Sequence, residues 1–172
     1  MRIIAGTHRG RRLEAPPDAR IRPTSDRVRE ALFSMLGHRL GGFAGKHVLD
    51  AFAGSGALGL EALSRGAASA VFIERDRNAL TALHATIAAF RAEPRCTVHA
   101  ADTTRPPPTQ PCGLVFLDPP YGQALVPAAV TVLAAAGWLA ADALLVAETA
   151  RDEPPPWPDP LAERLYGAAR VS

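Results

Sequence analysis

From His47 onward the apolar positions of the chain alternate between two periods. Short apolar runs predict buried strands: Val48-Leu49-Asp50-Ala51-Phe52, Ala70-Val71-Phe72-Ile73-Glu74, Leu114-Val115-Phe116-Leu117-Asp118 and Leu144-Leu145-Val146-Ala147-Glu148. Cys96 to Ala100 predicts another strand, third in chain order. Between these runs the apolar residues recur at helical spacing. Leu58, Ala62 and Leu63 mark a helix from Gly56 to Arg65, closed by Gly66. Leu80, Leu83, Ile87 and Phe90 mark a second from Asp76 to Phe90, and Pro127 opens a third that runs to Ala136. Strands alternating with helices predict βαβ units, hence an α/β chain with a mostly parallel sheet covered on both faces and right-handed crossovers. After the proline-rich loop DEPPPWPDP (152–160), the alternation from Glu163 to Ser172 predicts a short hairpin at the sheet edge.

The front of the chain reads differently. Ile21-Arg22-Pro23-Thr24 is extended, because a residue before proline avoids the helical region. Thr24 or Ser25 can cap a helix running to about Leu36, with Val28, Leu32, Met35 and Leu36 as its apolar stripe and Arg27 and Glu30 on another face. Residues 1–20 predict a short strand or arm. Charge divides at the same place: residues 1–46 carry ten Lys/Arg against four Asp/Glu, whereas residues 47–172 carry nine against thirteen. A basic front on an acidic body fits contact with a polyanion, and equally a solvated arm. With 172 residues, the chain is expected to be one domain (1–172): a basic arm and helix over 1–46 and a ligand-binding sheet over 47–172.

Composition removes several classes. Two cysteines, Cys96 and Cys112, make neither a disulfide framework nor a four-cysteine zinc site, which points to a reducing, cytoplasmic setting. The five histidines show no ligand spacing, so no metal is expected. The N-terminus has only a three-residue apolar patch, Ile3 to Ala5, and no signal-like core. Ala124 to Ala141 is uncharged but interrupted by Pro127, Thr131 and Gly137, so a membrane span is not expected. Nothing in the pattern calls for more than a monomer.

The candidate chemistry sits at two predicted strand ends. In Asp50-Ala51-Phe52-Ala53-Gly54-Ser55-Gly56-Ala57-Leu58-Gly59 the glycines fall at GxGxxG spacing between a strand and a helix. Such glycines allow a tight turn and close backbone approach to a ligand. Glu74, at the end of the next strand, can accept both hydrogen bonds of a ribose diol. A nucleoside-containing cofactor follows, and two compete. A nicotinamide dinucleotide would set its pyrophosphate on the helix N-terminus. S-adenosylmethionine has no phosphate but carries an ammonium group, which the Asp50 carboxylate favours. A plain strand–helix turn is the bland alternative.

Asp118-Pro119-Pro120-Tyr121 follows the fourth strand, where ligands of open α/β sheets collect. An exocyclic amine of a nucleobase is a poor nucleophile, its lone pair being delocalised into the ring. The Asp118 carboxylate can accept one amine N–H and the Pro119 carbonyl the other. That grip turns the lone pair out of conjugation, and Asp118 stabilises the positive charge that develops on nitrogen. Pro119 and Pro120 stiffen the turn, and Tyr121 offers a ring for stacking. Asp102, after the third strand, can accept the amine of an adenine, or can be a loop Asp.

At these residues the chain resembles the RsmD family, methyltransferases acting on the N2 amine of a guanine in small-subunit (16S) ribosomal RNA. MRIIAGTHRGRRL (1–13) and IRPTSDRVREALFSML (21–36) are similar to its N-terminal signatures, and VLDAFAGSGALGLEALSRGA (48–67) and LVFLDPPYG (114–122) to its cofactor and catalytic motifs. The resemblance implies a Rossmann-like class I sheet of seven strands with an antiparallel last strand, and S-adenosylmethionine as donor. It implies cofactor contacts from Asp50, Phe52, Ala53, Gly54, Ser55, Gly56, Glu74, Arg75, Asp102 and Asp118. Catalysis falls to Asp118, Pro119, Pro120 and Tyr121. Ribosomal RNA, free or in the assembled small subunit, is expected to meet Arg9, Arg11, Arg12, Arg22, Arg27 and Arg29. Two departures stand out: the link TTRPPPTQPCG (103–113) replaces an expected helix, and the tail stops at Ser172. The competing functions are an adenine-N6 methyltransferase, which shares the [DN]PPY motif, a nicotinamide-dependent reductase, and a non-catalytic RNA-binding module.

Overall fold

The computed structural model describes residues 1–15, 26–108 and 110–172. Its strands are β1 (His47–Asp50), β2 (Ser69–Glu74), β3 (Cys96–Ala100), β4 (Cys112–Leu117), β5 (Leu139–Ala150), β6 (Arg164–Tyr166) and β7 (Ala169–Val171). They form one sheet in the order β3-β2-β1-β4-β5-β7-β6. The first five pair in parallel, and β7 inserts antiparallel between β5 and β6. The helices are α1 (Asp26–Leu40), α2 (Ala57–Ser64), α3 (Arg77–Phe90) and α4 (Leu125–Ala135).

Strand alternation divides the core. Val48, Phe72, Phe116 and Val146 face α1, α2 and α3, meeting Phe33, Leu36, Leu60, Leu63 and Leu83. Leu49, Ile73, Val115, Leu117 and Ala147 face the opposite way, against Val126, Ala129 and Leu133 of α4 and the buried Trp138. Helices therefore cover both faces, three on one and one on the other. The proline-rich link forms no helix among its described residues, and the Trp138 indole N–H donates to the Pro107 carbonyl at 2.9 Å.

Three elements differ from the sequence expectation. β5 begins at Leu139, five residues early, because a register shift after Cys112 lets an Ala-rich stretch with little patterning join the sheet. α1 runs on to Leu40 and buries Arg29 and Phe33 with Leu32 and Leu36, while Val28 and Met35 are only half-buried. Its expected cap at Thr24 or Ser25 lies outside the described residues.

Residues 1–14 are not a loose arm. Arg2 and Arg12 form an antiparallel bridge, and Ile3 and Leu13 enter the core. The Glu61 carboxylate on α2, with no exposed surface, accepts the Ile4 N–H at 2.7 Å, the Ala5 N–H at 3.1 Å and Arg65 Nε at 2.7 Å. The segment continues along α2 through Thr7 N–H to the Ser64 carbonyl and His8 N–H to Ser64 Oγ. Gly6 has φ +84°, and a side chain there would collide with the Ser64 carbonyl.

Candidate active site

Register and alternation bring four carboxylates to one end of the sheet. Asp50 ends β1 opposite Phe72 and Phe116, and Phe116 pairs with Val146. Two residues further along each of those neighbouring strands come Glu74, Asp118 and Glu148. Asp50, Glu74, Asp118 and Glu148 all line a cleft of about 580 Å³, within the size range of small-molecule sites. Phe52, Ala53, Gly54 and Ser55 line it from the glycine turn, Arg75 and Asp102 from beyond β2 and β3, and Pro120 from the turn after β4. The glycine turn and the Asp118 turn thus border the same space.

The glycine turn has definite mechanical reasons for its residues. Gly54 (φ +53°) and Gly56 (φ +77°) are left-handed, and a Cβ on Gly56 would lie 2.4 Å from Leu83. A Cβ on Gly59 would lie 2.4 Å from the Phe72 ring, so this glycine lets α2 press onto β2. The Gly59 N–H donates to Asp50 Oδ2 at 2.9 Å. One of the free amides of the α2 N-terminus is therefore satisfied by the chain's own carboxylate. Asp50 is 1% exposed. Burial pushes its carboxyl up to about 8; the Gly59 hydrogen bond opposes this, and the nearby Asp118 and Glu74 charges add to it.

Glu74 stitches the loops together. Its Oε2 accepts the Gly54 N–H at 2.7 Å, and Oε1 accepts the amides of Arg75 at 2.7 Å and Asp76 at 2.8 Å. Asp102 accepts the Thr104 amide at 2.9 Å and hydroxyl at 2.8 Å, and its other oxygen takes Arg75 Nη1 at 3.2 Å. The Thr104 hydrogen bonds, and Arg75 after them, hold the Asp102 carboxyl below its ordinary value. Thr103, buried between them, donates its hydroxyl to the Ala51 carbonyl and ties the β3 turn to the β1 turn.

In the β4 turn Pro119 is buried and Pro120 exposed. The Tyr121 hydroxyl donates to Glu148 Oε1 at 2.7 Å, which fixes the ring against the end of β5. Glu148, 8% exposed, is a wall residue that the sequence motifs do not single out. The available signal was the one used elsewhere: a carboxylate ending an apolar strand. Among the described residues no group of three or more His, Cys, Asp or Glu is placed to hold a metal ion.

The arginines separate into distinct groups. Arg9, Arg12 and Arg27 are exposed. Arg11, also exposed, lies 4.5 Å over the Phe90 ring and donates to the Ala89 carbonyl at 2.5 Å. Arg22 lies outside the described residues. Arg29 corrects its expected place on an RNA-facing surface. It is 2% exposed and turned inward, donating through Nη2 to the Arg2 carbonyl at 2.5 Å and to Asp26 Oδ1 at 3.0 Å. Position 29 falls between Leu32 and the first turn on the core side of α1, and that geometry buries it.

Comparison with known proteins agrees with this architecture. The profile of the family described as Conserved hypothetical protein 95 matches residues 1–169. The chain is 42% identical over 150 residues to the ribosomal RNA small subunit methyltransferase D of Escherichia coli (strain K12), covering 87% of this chain and 74% of that protein. It is 37% identical over 159 residues to the protein of the same name from Haemophilus influenzae, covering 90% and 81%. The solved structure of yhhF from Escherichia coli matches with a TM-score of 0.86 and 38% identity, over 99% of this chain and 94% of that one.

Proposed function

We propose a reaction from one premise: the chain belongs to the Conserved hypothetical protein 95 family, the RsmD family, and is a methyltransferase of Rossmann-like class I fold. It transfers a methyl group from S-adenosylmethionine to the exocyclic N2 amine of a guanine in small-subunit ribosomal RNA. The observation that carries this reading is the single cleft bordered by both the glycine turn and Asp118.

The cleft suits this cofactor. S-adenosylmethionine carries two positive centres and one carboxylate, and the charged residues of the cleft wall are mostly acids. Asp50, buried and already bonded to the α2 amide, ionises to meet the cofactor's ammonium and occupies an amide that a diphosphate would use, which argues against a nicotinamide dinucleotide. Gly54 and Gly56 give the backbone its close approach, Glu74 holds the ribose and Asp102 the adenine amine. When bound, the cofactor supplies an electrophilic methyl on a sulfonium.

The chain's own residues do the rest. Asp118 accepts one N–H of the guanine amine and the Pro119 carbonyl accepts the other, so the nitrogen lone pair is turned out of the ring. Asp118 then stabilises the positive charge gained by nitrogen and takes up its proton. Holding the amine at the cleft mouth supplies the proximity term. Tyr121, fixed by Glu148, stacks on the base. Exposed Arg9, Arg12 and Arg27 meet phosphates and position the RNA without reading its sequence.

The experiment is transfer of labelled methyl from S-adenosylmethionine to small ribosomal subunits, to naked ribosomal RNA and to DNA, followed by nucleoside analysis. N2-methylguanine in RNA is the expected product. N6-methyladenine, or transfer to DNA alone, would overturn the guanine assignment.

A further inference from the structure

Arg29 is a buried cation that the reaction just described leaves without a task. Its Nε is fully enclosed and has no hydrogen-bond acceptor among the described residues, although Nη2 has two. Leaving a guanidinium N–H unpaired in the interior is unfavourable, and such an atom marks a missing partner. Its one ion-pair partner among the described residues, Asp26, is 41% exposed and sits at the outer end of the side chain. Arg29 also lines the cleft that Asp50 lines.

The charge pattern of that cleft gives the unpaired N–H a meaning. Glu14, Asp50, Glu74, Asp102, Asp118 and Glu148 supply its acids. Its described guanidinium groups are Arg75 and Arg29, and Arg75 is engaged with Asp102 at the solvent-facing side. An amino-acid group entering this cleft meets Asp50 with its ammonium. Its carboxylate is repelled by the acids and finds in Arg29 a cation not engaged with a cleft acid. A side chain that is 2% exposed and borders the cleft suits a small ligand inside it, not a phosphate of a folded RNA at the surface.

We infer that Arg29 binds the α-carboxylate of the cofactor's amino-acid end, so that Arg29 and Asp50 together recognise a zwitterion. This rests on the S-adenosylmethionine reading above. It assigns Arg29 to cofactor affinity and removes it from RNA contact. A guanidinium donates to a carboxylate from a planar fork that a lysine cannot reproduce.

The test is calorimetry on the intact protein with S-adenosylhomocysteine and with its decarboxylated analogue, which keeps the nucleoside, thioether and amine. The native protein should bind the decarboxylated ligand about tenfold to a hundredfold more weakly, the range for a hydrogen bond to a charged group. Arg29→Lys, and Arg29→Met where it folds, should lose that preference while keeping their affinity for the decarboxylated ligand. RNA affinity at fixed salt should not change. Equal binding of the two ligands by the native protein would overturn the inference without any variant. So would a variant that loses RNA affinity but keeps the preference. Failure of both ligands to bind would instead overturn the S-adenosylmethionine reading itself.

Discussion

Ionisation of Asp50 should couple cofactor binding to proton release. The carboxyl is buried beside Asp118 from the β4 turn and Glu74 from β2, the Gly59 amide of α2 favours its charge, and burial pushes it up to about 8. Near neutral pH it is therefore largely protonated in the free protein. An ammonium group placed against it favours the ionised form, so binding near neutral pH should expel a proton from this site. Apparent affinity should then rise about tenfold per pH unit below pH 8 and level off above it. Stability of the free protein should move the other way. Because the folded value lies above the unfolded one, this site's contribution is full below about pH 4 and is lost as pH rises toward about 8. The assay is calorimetry with S-adenosylhomocysteine in two buffers of different ionisation enthalpy, for the native protein and for Asp50→Asn. The variant keeps an oxygen for the Gly59 amide but cannot titrate, so the difference between the proteins cancels the ligand's own amine. Equal proton release by both, or an affinity difference independent of pH from 6 to 8, would refute the coupling.

Other consequences are as direct. Glu61→Ala strands two backbone amides and Arg65 in the interior and should lower unfolding free energy by at least about 3 kcal/mol in urea titration; a loss under about 1 kcal/mol would show that residues 1–14 do not depend on it. Gly59→Ala drives a methyl into the Phe72 ring and should destabilise by about 1–3 kcal/mol, read as a lower thermal midpoint; an unchanged midpoint would mean α2 can shift without penalty. Replacing exposed Arg9 and Arg12 by Ala should weaken RNA binding and reduce the salt slope by about one to two units, with no change in S-adenosylhomocysteine affinity; an unchanged slope would remove them from the RNA contact.

What the sequence makes legible follows from how strongly each pattern is determined. β1, β2 and β4 are buried on both faces, so their apolar runs are continuous, and each ends where a functional loop begins. The glycine turn is legible because Gly56 and Gly59 have no sterically acceptable alternative. Arg29 misled because an arginine in a basic segment reads as surface, whereas its surroundings come from Arg2 and Asp26, neither of them visible as neighbours from local spacing. Glu61 was invisible for the same reason: its partners Ile4 and Ala5 are more than fifty residues away. The early start of β5 follows from sheet register with β4, not from any alternation in Leu139–Ala143.

The central claim is that Asp118 works on the amine of the acceptor base from a cleft whose cofactor pocket is built by other residues. Single-turnover methyl transfer and S-adenosylhomocysteine affinity, measured on one preparation of Asp118→Ala, separate these roles. Transfer to small-subunit RNA should fall by at least about a hundredfold while affinity stays within about threefold of the native protein. Undiminished transfer, or transfer lost only in proportion to cofactor affinity, would contradict it.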